Sequence, residues 1–92
     1  MIIRILGEGQ LSVDDAETTV LNELDTKLAS AVDAGDEASF RRALNELLTQ
    51  VRAVGKPYPA DSLEPSELIL PPEDASLAEV RQMMTDEGLI PG

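Results

Sequence analysis

The tetrad Ala34-Gly35-Asp36-Glu37 divides two stretches in which apolar residues recur every three or four positions, and this division limits the available folds more than any other feature. Before it, Ala16, Val20, Leu24, Leu28, Ala31 and Val32 predict one stripe of an amphipathic helix over 14–34. After it, Phe40, Ala43, Leu44, Leu47, Leu48, Val51 and Val54 predict a second helix with one broad apolar face, which Gly55 and Pro57 bring to an end. Gly35 stops the first helix, because glycine adopts the left-handed conformation of a helix terminus without steric cost. Asp36 caps the second, its carboxylate accepting from amides that the first turn leaves unpaired. So short a joint makes the helices antiparallel neighbours, with their stripes face to face in an αα-hairpin.

The flanking segments read differently. Residues 2–6 form an apolar run broken by Arg4, then Gly7-Glu8-Gly9, then Leu11-Ser12-Val13 with period two. That pattern predicts a β-hairpin whose inward face is Ile3, Ile5, Leu11 and Val13, with Arg4 outward and the glycines in the connection. Pro57, Pro59, Pro65, Pro71 and Pro72 break up residues 57–75, leaving Leu68-Ile69-Leu70 as a candidate short strand. Ser76-Leu77-Ala78-Glu79 is a capping-box sequence, with Leu77, Val80, Met83 and Met84 following at helical spacing and Gly88 as the stop. The expectation is an α+β fold in the order ββααβα, one domain over 1–92 with 57–75 as its Pro-rich connecting segment. The open edge of an isolated hairpin favours a homodimer.

Chemistry is narrowed by what the 92 residues lack. They include no cysteine and no histidine, which removes thiolates, disulfides, the usual general base and the commonest metal ligand. The acidic pairs Asp14-Asp15 and Glu73-Asp74 sit where helix starts favour negative charge, and Asp86-Glu87 lies near a helix end. Asp33 to Glu37 lacks the alternating oxygen ligands of a calcium loop. Gly7-Glu8-Gly9 runs between strands, with no helix amino terminus or lysine to receive a phosphate. No enzyme activity, cofactor or metal is therefore expected, and Met83 and Met84 read as core filler.

A net charge of −11 disfavours direct contact with nucleic acid or an anionic lipid surface, so the expected partners are proteins. The start Met1 to Leu6 is too short for a signal peptide, and no apolar run approaches a membrane span, which predicts a cytoplasmic protein. Arg41, Arg42 and Arg52 gather on the second helix and, with the terminal apolar Leu89, Ile90 and Pro91, form the candidate partner interface. The competing reading of these cations is that they pair with acids of the first helix. A second function from another class is an acidic regulator that mimics nucleic acid and occupies the basic site of a DNA-binding protein.

The opening Met1-Ile2-Ile3-Arg4-Ile5-Leu6-Gly7-Glu8-Gly9-Gln10, the tetrad 34–37 between two helices, and the ending from Leu70-Pro71-Pro72 through Ser76-Leu77-Ala78-Glu79-Val80 to Glu87-Gly88-Leu89-Ile90-Pro91-Gly92 resemble PspAA, the PspA-associated protein family. The similarity spans essentially the whole chain. That family is typically encoded beside phage shock protein A, a coiled-coil membrane-remodelling protein of the envelope stress response, in actinobacteria and archaea. The resemblance implies a non-catalytic adaptor or modulator of a phage shock protein A homologue, reaching the inner face of the membrane only through that partner. It transfers no binding residue.

Overall fold

The joint between the two long helices is built as its sequence predicts. In the computed structural model, which describes residues 1–58, 68–84 and 89, α1 (Thr18–Ala34) stops at Gly35, held at φ 70°. The Asp36 amide donates to the Ala31 carbonyl at 3.2 Å and the Gly35 amide to Val32 at 3.1 Å, the paired bonds of a Schellman stop. Asp36 then caps α2 (Glu37–Val54), accepting from the Ser39 amide at 3.2 Å and the Ser39 hydroxyl at 3.0 Å. These bonds hold the Asp36 carboxyl below its ordinary value. Two residues therefore reverse the chain, and α1 packs along α2 as an αα-hairpin.

The buried stripe of α1 is rotated from the expected one. Leu21, Asp25, Leu28, Ala31 and Val32 face inward, whereas Val20 is 41 % exposed and Ala16 is exposed. The cause is geometric. At 3.6 residues per turn, each step of four positions overshoots by about 40°, so the row Leu28, Leu24, Val20, Ala16 winds off the core. The helix also starts later than expected, because Asp14 caps a 3-10 turn over Asp15–Glu17 by accepting from the Ala16 amide at 2.9 Å.

Strands β1 (Ile2–Ile5) and β2 (Gly9–Ser12) form the N-terminal hairpin, with Gly7 and Gly9 at positive φ in and beside its turn. The hairpin edges are not open. A two-residue strand β3 (Lys56–Pro57) pairs antiparallel with β2, and β4 (Leu68–Leu70) pairs parallel with β1, giving the sheet order β3-β2-β1-β4. The open-edge rationale for a homodimer thus falls: backbone groups on both sides of the hairpin are already paired. The Leu6 amide continues the β1–β4 ladder to the Leu70 carbonyl, and the Tyr58 amide continues β2–β3 to the Gln10 carbonyl.

Helices cover one face of this sheet. Ile3, Ile5, Val13, Leu68 and Leu70 meet Leu21, Leu28, Phe40, Leu44, Leu47, Leu48 and Val51 in a core without tryptophan or cysteine. Helix α3 (Leu77–Met83) adds Leu77 and Val80, and its Ser76 cap accepts from the Glu79 amide at 3.1 Å, as the capping-box sequence predicts. Gly88, the expected stop of this helix, lies outside the described residues. The α+β class is thus correct, and the candidate strand at 68–70 forms as β4; β3 is an addition.

Candidate partner-binding surface

Two of the three arginines of α2, Arg41 and Arg52, fasten the fold. Arg52 forms a two-pronged ion pair with Glu8 in the β1–β2 turn, its Nε donating to Oε1 at 2.9 Å and its Nη2 to Oε2. The remaining guanidinium nitrogen, Nη1, lies 3.6 Å from a Glu73 carboxylate oxygen in the turn after β4. The donated hydrogen bond holds the Glu8 carboxyl below its ordinary value and, reciprocally, raises Arg52. Arg41 donates to the Glu73 carbonyl at 2.6 Å while its guanidinium carbon lies 5.1 Å from the Phe40 ring centroid. Arg41 and Arg52 together tie α2 to both turns at one end of the sheet. Arg42 alone of the three points into solvent with no carboxylate hydrogen-bonded to it among the described residues.

The apolar terminus also differs from expectation. Leu89 is not exposed: it is a core residue, 9 % accessible, and its amide donates to the Asp25 carboxylate at 3.0 Å. Burial of the apolar side chain and satisfaction of its amide by a carboxyl oxygen both favour that position. Ile90 and Pro91 lie outside the described residues. Asp25 itself, 2 % exposed, escaped the sequence reading. Its position was the available signal, since it stands four residues after Leu21 and three before Leu28, inside the apolar stripe. Arg81, on α3, donates to the Val32 carbonyl at 2.6 Å and so closes the C-terminal end of α1.

The sheet face turned away from the helices carries Arg4, outward as its strand pattern predicts, beside side chains that no sequence argument singled out. Strand alternation and register place Arg4 between Gln10 and Ile69, and Ser12 between Ile2 and Lys56. Tyr58 continues the Arg4 row beyond Gln10. Ile69 is 49 % exposed, the most open large apolar side chain among the described residues. A cleft of about 420 Å³ opens where β3 ends, walled by Arg4, Gln10, Leu11, Pro57 and Tyr58, with the Glu8–Arg52 pair at its side. Gly55 makes room there, because a Cβ on it would come within 2.7 Å of the Val51 carbonyl and 3.0 Å of the Leu11 Cβ.

Among the described residues, no group of three or more acids converges as a metal site would require. Asp14 is a cap, Glu73 and Asp74 form a turn, and Asp86-Glu87 lies outside those residues. The described helices include none long and apolar enough to cross a membrane.

Fold and surface together define a small α+β domain, an αα-hairpin laid over one face of a four-stranded sheet, with a basic and apolar opposite face. The family model of the PspA-associated protein, PspAA, matches residues 1–92, so the chain belongs to the PspAA family. No curated protein and no solved structure gives a significant match.

Proposed function

We propose that this protein is a non-catalytic adaptor of a phage-shock-protein-A-type system, binding the homologue of that protein in its own cell and modulating its assembly or its recruitment to the membrane. The observation that carries this reading is the family match over the whole chain, a family described as associated with PspA. Composition supports it, because without imidazole or thiol the chain offers a shape and a charge pattern rather than a reactive group. Its place is the cytoplasm, with the inner face of the membrane reached through the partner. On α2, Arg42 is the cation available for contact, since Arg41 and Arg52 are held within the fold. The same net charge of −11 would suit a nucleic-acid mimic, but Arg4 and Lys56 interrupt the negative surface that such a mimic requires.

The test is capture of the tagged protein from cells grown with and without membrane stress. Recovery of the phage shock protein A homologue as a major, stress-dependent companion is the expected result. Its absence from both samples, with the bait folded and abundant, refutes the reading.

A further inference from the structure

We propose that the helix-free face of the sheet is a docking site for an acidic protein segment that also carries aliphatic side chains, gripped through Arg4 and Lys56. The outward residues of the described strands, with Tyr58, are Ile2, Arg4, Gln10, Ser12, Lys56, Tyr58 and Ile69. They include two cations and no carboxylate, on a chain with 18 acidic and only 7 basic residues. Neither Arg4 nor Lys56 has a hydrogen-bond or ion-pair partner among the described residues, unlike Arg41, Arg52 and Arg81, each of which is bonded within the fold.

Strand spacing and rise put the Arg4 and Lys56 positions about 12 Å apart, two strands across and two residues along. Carboxylates about four residues apart in an extended segment span the same distance. Between and beside the cations lie apolar contacts: Ile69 next to Arg4 in the register, Ile2 in the Lys56 row, and Tyr58 in the lining of the cleft. The cleft, of about 420 Å³, is large enough to take a leucine or isoleucine side chain. The Glu8 carboxylate at its side is neutralised by Arg52 and so does not repel an acidic ligand. Apolar neighbours around the cations favour a peptide, which brings carboxylates and aliphatic side chains together, over a nucleic acid or a phospholipid headgroup.

This assignment rests on the reading of the protein as a partner-binding adaptor and names the surface that reading leaves open. It is tested by amide NMR titration of the full chain with a short blocked peptide of glutamate, leucine and serine, and with a counterpart carrying glutamine for glutamate. Shifts confined to the amides of residues 2, 4, 10, 12, 56, 58 and 69, screened by salt and absent with the glutamine peptide, are expected. The double variant Arg4→Glu with Lys56→Glu should weaken binding by roughly tenfold or more while the far-ultraviolet spectrum is unchanged, and Lys27→Glu, at an exposed position of α1, should leave it intact. Shifts on α1 and α2, equal binding of the glutamine peptide, or full binding by the double variant would overturn the site. So would a concentration-dependent dimer abolished by the double variant, since the face would then serve a second copy. Failure of the whole phage shock protein A homologue to bind while the peptide shifts persist would count against the adaptor reading alone; binding of the homologue undiminished by the double variant would count against this face alone.

Discussion

Replacing Asp25 by alanine should loosen the end of the chain and lower global stability together. Asp25 is 2 % exposed, and its carboxylate receives the Leu89 amide at 3.0 Å in the interior. In the alanine variant that amide stays buried without its acceptor, or Leu89 leaves the core to find water. A hydrogen bond contributes about 0.5–1.5 kcal/mol net, and a buried donor left without its acceptor costs about 1–3 kcal/mol. Removing the buried carboxyl recovers some desolvation energy, so the net loss should be about 1–3 kcal/mol. For a domain of this size that lowers the melting midpoint by roughly 4–24 °C. Asp25→Asn keeps a side-chain oxygen acceptor and should lose clearly less. Urea denaturation gives the free energy, and amide hydrogen exchange at Leu89 reports the local release. A stability within about 0.5 kcal/mol of wild type, with unchanged protection at Leu89, would refute the assigned role of this contact.

Gly55→Ala should destabilise by about 1–3 kcal/mol, measured by urea titration, because its Cβ meets the Val51 carbonyl and the Leu11 side chain with little space to give. Leu70→Ala should cost about 2–5 kcal/mol by the same method, since Leu70 is fully buried in the parallel strand β4 and truncation leaves a cavity. The Glu8–Arg52 pair gives a signed pH prediction. Glu8 is held below its ordinary 4.5, so the unfolded chain binds this proton more readily than the folded one. Its contribution is therefore complete above that value and fades as pH falls through the lower folded value. With both side chains more than a third exposed the effect is below about 1 kcal/mol, and Arg52→Ala should flatten that part of the acid unfolding curve.

What could be read in advance was local. Gly35 and Asp36 announce a stop and a cap because both act through bonds within a few residues, and Ser76 with Glu79 does the same for α3. The alternation of β1 and β2 likewise placed Ile3, Ile5 and Arg4 on their proper faces. Long-range pairing was not legible. Lys56-Pro57 is too short to show a period, and nothing in Leu68-Ile69-Leu70 reveals that β1 is its parallel neighbour. The rotation of the α1 stripe was obscured by Asp25, a charged residue at a core position, which made the wrong row look the more apolar. The candidate interface suffered from the same limit. Arg41 and Arg52 look available in sequence, and only their bonds to Glu73 and Glu8, 32 and 44 residues away, reveal them as fasteners. Arg4 looked like an ordinary outward residue until Lys56 and Tyr58 joined its sheet.

Sedimentation velocity of the purified protein, mixed with the phage shock protein A homologue from the same genome and compared with each alone, puts the adaptor assignment to its most direct test. A saturable, co-sedimenting complex with a Kd below roughly 10 μM is the expected result. Two independent boundaries at several times that concentration would contradict it.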